Sequence, residues 1–285
     1  MRTRGLDQTG GVMMDQRSSR PTRLHADPPP APPSAVFHAV ADVSSMGDRF
    51  ELGIGRVEAG WRPFTDLFTD AGVLGQRIGD VAERLGTAEA RVAASILFQK
   101  LASRLCSPLF GAAVVHGLLV ELVPGRVHWR PTPDGVPPPL RTTDLAGWEI
   151  RDPARTAERM YHTVVPGLLE PLAEAVQGVV KIAPGLLWGN VASSLAGTVR
   201  ALARVRPELT GAALALAREL LDLGLLRDKG ELAEPAPGHP FFVRRSCCLY
   251  YRARDGRKCG DCALEDPGAL RDRWTRAVWE SRGAR

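Results

Sequence analysis

Residues 244–262 read RRSCCLYYRARDGRKCGDC and contain four of the protein's five cysteines. Cys247 and Cys248 are adjacent, ten residues follow, and Cys259 and Cys262 then flank Gly260-Asp261. Thiolates are soft ligands that select zinc, copper(I) or iron–sulfur clusters. Four of them in one short loop read as a metal site before anything else. The fold expected around this loop is a mainly α-helical body that carries a C-terminal metal-binding segment.

Which metal it holds depends on the spacing. Cys259 and Cys262 form a C-x2-C knuckle of the kind that chelates zinc. Cys247 and Cys248 do not, because adjacent side chains in extended backbone point to opposite faces. Two neighbouring thiolates chelate one ion poorly and serve two metal centres more easily. A [2Fe–2S] cluster, with two irons and four thiolate positions, suits the arrangement better. A zinc knuckle and a vicinal disulfide remain open alternatives at this point.

The run "RRSCCLYYR…CGDC" resembles the C-terminal signature of the ferric-siderophore reductase (FhuF) family, whose motif is C-C-x10-C-x2-C. Two internal stretches are similar too, ASRLCSPLFGAAVVHG around Cys106 and LLWGNVASSLAG around Trp188. The resemblance spans roughly residues 50 to 265, and the cysteine motif is its specific part. It implies a [2Fe–2S] cofactor on Cys247, Cys248, Cys259 and Cys262. It also implies one-electron reduction of siderophore-bound iron(III) to iron(II), a step in iron acquisition. The implied partners are a ferric siderophore, for instance of the hydroxamate type, and an electron donor such as a ferredoxin or a separate NAD(P)H-dependent reductase. The competing function is a siderophore-binding or sensing protein that its metal, iron–sulfur or zinc, stabilises without catalysis.

Composition agrees with a water-soluble protein in the cytoplasm. The 285 residues are 44% hydrophobic and 24% charged, with a formal charge of +5. That charge is too small to demand nucleic acid. The longest uncharged stretches, Leu105–Val120 and Ile182–Val199, include Pro108, His116, Pro184 and Asn190 and do not read as membrane spans. No secretory signal is visible. There is no P-loop and no Rossmann glycine fingerprint, so nothing marks a self-sufficient NAD(P)H enzyme.

Taken in order, residues 1–34 read as a disordered leader rich in Pro and Arg, and residues 35–240 as the helical body and siderophore-binding part. Helical spacing of Leu74, Ile78, Val81 and Leu85 predicts a helix from about Ala71 that Gly86 stops. Thr87 caps the next, which Pro108 is expected to interrupt. Leu118–Val123 and Arg126–Arg130 flank Pro124-Gly125 and predict a β-hairpin near 118–130, with a second turn at Pro133-Asp134-Gly135. Asp152-Pro153 starts another helix and Pro166 breaks it. Residues 234–240, EPAPGHP, read as a loop into the cluster-binding segment 241–265, and the tail 266–285 as a short helix folding back as a cover.

Around the cluster, cations raise its reduction potential and attract an acidic donor. Arg245 and Ser246, beside Cys247, are the residues expected to contact the cofactor from behind its ligands. Phe241, Phe242, Tyr250 and Tyr251 are expected to shield it from water. Trp129, Trp188 and Asn190 are candidates for a siderophore pocket, although the helical position of Trp188 equally suits core packing. Cys106 reads as a small buried apolar residue. His116 and His128 read as structural or surface histidines, since four cysteines already complete a ligand set.

Overall fold

A helix with no polar face runs through the middle of the molecule. In the computed structural model, which describes residues 27–132, 138–144 and 146–283, Ala90–His116 forms one continuous helix of 27 residues. Its residues from Val92 to Ala113 are almost all buried, because the sequence places apolar or small side chains on every side. Such a helix must be surrounded. In chain order the helices and strands up to it are α1 (Pro33–Ser44), β1 (Gly53–Ile54), β2 (Arg62–Pro63), α2 (Asp66–Thr69), α3 (Ala71–Leu85) and the central α4 (Ala90–His116). Asp70 caps α3 through the amides of Gly72 and Val73, and Gly86, at φ 57°, ends it as its sequence predicts.

Pro108 does not interrupt α4. A proline removes one rung of the helical ladder at a cost of roughly 3 kcal/mol, and here packing on both sides offsets it. Gly111, one turn on, lets α1 approach so closely that a Cβ there would meet Val43 at 2.6 Å. On the other side Ser107 Oγ lies 2.7 Å from Thr198 Oγ1. Pro166 is absorbed in a similar way. The helix α5 (Pro153–Val164), capped by Asp152, passes through a widened turn at Val165–Leu169 into α6 (Glu170–Val179). Such π turns accommodate what a regular ladder cannot.

The strands expected near 118–130 form, but not as one hairpin. β3 (Leu118–Val120) pairs with β6 (Gly147–Glu149), whereas β4 (Val127–Trp129) lies between β2 and β5 (Leu140–Thr142). Pro124–Arg126 makes a 3-10 turn that carries the chain from one small sheet to the other. Local alternation predicts strands; partners 11 or more residues away decide their pairing. A hairpin does form where a loop was expected: β7 (Gly230–Ala236) pairs with β8 (His239–Arg244) around Gly238, at φ 77°. Pro235 sits within the irregularity between Ala233 and Ala236, where a missing amide is tolerated.

Residues 1–26 of the expected leader, and the expected turn at Pro133-Asp134-Gly135, lie outside the described residues. The leader's last residues are ordered: Ala31 N donates to Gly147 O at 2.8 Å, and α1 starts at Pro33.

The helix α7 (Pro184–Val205) is the second long buried element, and α8 (Thr210–Leu221) and α9 (Pro267–Gly283) complete the order. Short polar side chains along α7, Ser193, Ser194 and Thr198, meet Gln99 and Ser107 of α4. Asn190 Nδ2 donates to Ser95 O at 2.9 Å, Ser194 Oγ to Gln99 O at 3.0 Å, and Ser107 meets Thr198. These pairs advance together, so the two helices run in the same direction. Among the described residues no helix is long and apolar enough to cross a membrane.

Candidate metal centre

The strand β8 delivers the chain to the cysteines. Beyond Arg244 the backbone has little regular structure of its own: a 3-10 turn at Tyr250–Arg252 is the one regular piece before α9. Leu249, in the left-handed region at φ 65°, turns its amide back onto Cys247 Sγ at 3.3 Å. Leu264 N donates to Cys262 Sγ at 3.4 Å in the same way. Amides aimed at sulfur favour the thiolate, the form that binds metal.

All five cysteines are free thiols, which removes the vicinal disulfide. Cys248 Sγ and Cys259 Sγ lie 3.7 Å apart. Two thiolates held at about 2.3 Å by a tetrahedral ion would lie about 3.8 Å apart, so this pair fits one metal. Among the described residues no three ligand side chains converge on a single ion. Cys248 and Cys262 are buried, whereas Cys247 and Cys259 are half-buried, so one edge of the site faces outward.

Protonation follows from the same contacts. Cys259 shares its proton with Cys248, which pushes the Cys248 thiol down to about 6 against the effect of burial. Cys259 is raised far above the usual thiol range by that sharing, then by burial and by Asp261. Burial raises Cys247, opposed by the Leu249 amide. Cys106 is different: burial alone pushes it up to about 12, as befits an inert core thiol.

Behind the cysteines lies a buried polar chain. Ser95 Oγ, on α4, donates to Cys248 O at 2.7 Å. Asn190 Nδ2, on α7, donates to Ser95 Oγ at 2.9 Å, and Arg244 Nη2 donates to Asn190 Oδ1. The other cysteine pair is braced from the same helices. Ser193 Oγ donates to Asp261 Oδ2 at 2.5 Å, and Gln99 Nε2 donates to Ser193 Oγ at 3.3 Å. Arg244 N donates to Asp261 O at 3.2 Å, closing the two arms on each other.

Arg244 is only 2% exposed, and its Nε and Nη1 have no hydrogen-bond partner. A buried guanidinium with two unpartnered nitrogens is costly unless negative charge stands nearby. A four-thiolate cluster is such a charge. The donor set and the buried cation therefore both fit an anionic iron–sulfur group on Cys247, Cys248, Cys259 and Cys262.

The buried cation is thus Arg244, where Arg245 was expected. Arg245 points outward and pairs with Asp228 at 3.1 Å, both side chains being mostly exposed. Side chains alternate along β8, so the one reaching α7 belongs to the strand's last residue. Ser246 is half-buried, its Oγ buried, unpartnered and pressed on Gly189, where a Cβ would come within 2.0 Å of it. Other cations of the loop form surface pairs, among them Arg252 with Glu89 and Lys258 with Glu265.

The siderophore pocket expected from Trp129, Trp188 and Asn190 is not formed by those residues. All three are buried, at 1%, 6% and 0% exposure. Trp129 donates to Pro63 O at 3.1 Å in the small sheet, Trp188 packs edge-on against Phe98, and Asn190 braces Arg244. The aromatic residues divide. Phe242 is buried, Phe241 stacks on Trp274 of α9 at 4.9 Å, and Tyr251 is exposed. His116 pairs with Asp42 at 2.9 Å and His128 meets Arg126 O at 3.2 Å, so neither reaches the cysteines. Ser95 and Ser193, on otherwise apolar helices, and Asp261, inside the knuckle, were missed, because the partners that give them a role lie far along the chain.

The arrangement is a group of four cysteines backed by a buried arginine. Residues 244–264 match the FhuF 2Fe-2S C-terminal domain. The match supports an FhuF-type family and a [2Fe–2S] cluster as the cofactor of this segment. No curated protein matches the chain.

Proposed function

We propose that the protein is a ferric-siderophore reductase of the cytoplasm. It takes one electron from a donor such as a ferredoxin or a separate NAD(P)H-dependent reductase and passes it to iron(III) held by a siderophore. Iron leaves as iron(II), which hard oxygen ligands hold less tightly. The observation that carries this reading is the match of residues 244–264 to the FhuF 2Fe-2S C-terminal domain.

When bound, the [2Fe–2S] group supplies one-electron transfer, which needs no general base or nucleophile. The chain's own residues do the rest. Cys247, Cys248, Cys259 and Cys262 hold the cofactor. Arg244, fixed by Asn190, sets a positive charge behind it that favours the reduced form. Burial of Cys248 and Cys262 keeps water from the inner side, while the half-buried Cys247 and Cys259 leave an outer edge for donor and acceptor.

The test begins with anaerobically purified protein. Iron and acid-labile sulfide are expected at about two of each per chain. The pre-reduced protein should then be reoxidised by a ferric hydroxamate while an iron(II) trap colours in equal amount. Cys259→Ser should lose both the visible absorption and the reduction. A colourless protein holding zinc would overturn the proposal. Tight chelate binding without electron transfer would favour a sensor.

A further inference from the structure

Beside the outer edge of the cysteines, between α3 and α4, lies a cavity of about 310 Å³. Its walls include Cys248, Cys259 and Tyr250 on one side and Val81, Leu85 and Ile96 beneath. Arg84, Lys100 and Gln99 supply its remaining polar groups, and no carboxylate lines it. Neither Arg84 nor Lys100 has an ion-pair partner among the described residues.

The positive charge extends beyond the cavity. The Lys100 ammonium is pushed below its usual range by the packing around it and then by Arg49, Arg104 and Arg84. Arg49 is itself crowded by Arg200, Arg204 and Arg104. Among the described residues one carboxylate forms an ion pair with this group, Glu51, 3.3 Å from Arg104. Six cations, on α3, α4, α7 and the 3-10 turn Asp48–Phe50, repel one another, and the fold gains nothing from that. An anionic ligand would relieve it and be drawn to it.

Resting on the reductase reading, we propose that this cavity is where the ferric chelate docks, and that Lys100 and Arg84 select chelates of net negative charge, such as tricatecholates or hydroxycarboxylates, over neutral trihydroxamates. A small anion fits the observations better than an acidic protein, because the two cations flank a depression of ligand-pocket size with an apolar floor. The cavity is also lined by Cys248 and Cys259, whose sulfurs lie 3.7 Å apart. A chelate seated there lies next to the cofactor's ligands, as direct electron transfer requires.

Gallium(III) chelates separate binding from reduction, since gallium(III) accepts no electron under these conditions. The cluster-loaded protein is titrated calorimetrically with a gallium(III) tricatecholate and with a neutral gallium(III) trihydroxamate. The anionic chelate should bind at least about tenfold tighter, and Lys100→Glu or Arg84→Glu should weaken it about tenfold or more while moving the neutral one less than about twofold. Salt raised from about 0.05 to about 0.5 M should weaken the anionic chelate alone.

Equal affinities, or anionic binding untouched by both substitutions, would overturn the proposal. So would a Lys100→Glu variant that binds chelates normally but reacts slowly with an acidic ferredoxin, because the cations would then serve the donor. Charge-selective gallium binding without reduction of the iron(III) analogue would sink the reductase reading and leave the site standing.

Discussion

The α4–α7 pair and the cysteine segment lie against each other yet are held in opposite ways. Between the helices, order comes from apolar burial, with a few serine, threonine and asparagine hydrogen bonds setting the register. The segment from Arg245 to Asp266 has almost no core of its own. Two amide–sulfur contacts shape it from within, and it is tied to the body by Ser95 and Ser193 at its back and by surface pairs such as Arg252 with Glu89. The body folds because it excludes water. The segment is ordered where the body offers it partners and where a metal gathers its thiolates. The dependence should run one way: a fault in α4 should reach the segment, whereas a fault in the segment should leave α4 in place.

The largest effect should follow from damage to the body. Leu105 of α4 is fully buried. Leu105→Ala should destabilise the protein by about 2–5 kcal/mol, and in denaturant the helical circular dichroism and the visible absorption should fall together at the lower midpoint. Stripping the metal with a chelator under anaerobic conditions is the converse. Helical dichroism should survive almost unchanged while amides of 245–266 lose protection from hydrogen exchange. Helices that melt on chelation would show that the two regions are one cooperative unit and would break the comparison.

A smaller effect is expected where the regions touch. Gly189→Ala sets a methyl group against Ser246 Oγ. Crowding of this kind costs roughly 1–3 kcal/mol, and it should appear as faster loss of the cluster with little change in the unfolding midpoint of the helices. Ser246→Gly in the same chain should restore retention, because it removes the atom that clashes. No rescue would place the cost elsewhere in α7.

Legibility in the sequence follows the same division. Cys247, Cys248, Cys259 and Cys262 stood out because they lie close together in sequence, as metal ligands on one segment do. The helix over Ala71–Leu85 was readable because its cap, apolar spacing and stop are all local. Pro108 was misread because the packing that carries α4 through it comes from α1 and α7, far along the chain. The strands of 118–130 were visible while their partners were not, for the same reason. The braces were hidden too: Ser95 and Asn190 meet across 95 residues, and Ser193 and Asp261 across 68. Nothing local says that a serine in an apolar helix supports a cysteine. Arg244 and Arg245 are adjacent, and which one is buried depends on the register of β8.

The smallest effect concerns the outer tie between the regions. Glu89, just before α4, accepts from Arg252 and from Arg91, and these bonds, Arg252 first, hold its carboxyl below the ordinary value of 4.5. A depressed carboxyl stabilises the folded form fully above its ordinary value, and that contribution is lost as pH falls through the lower, folded one. Cluster retention in the native protein should therefore be flat from neutrality down to about pH 5 on account of this group, and decline only below. Glu89→Gln should retain the cluster slightly less well at neutral pH, by less than about twofold, and high salt should erase the difference. The pair is exposed, so water and counterions compete for both charges. A large loss on Glu89→Gln that salt does not erase would mean that surface charge, more than the buried serines, holds the segment in place.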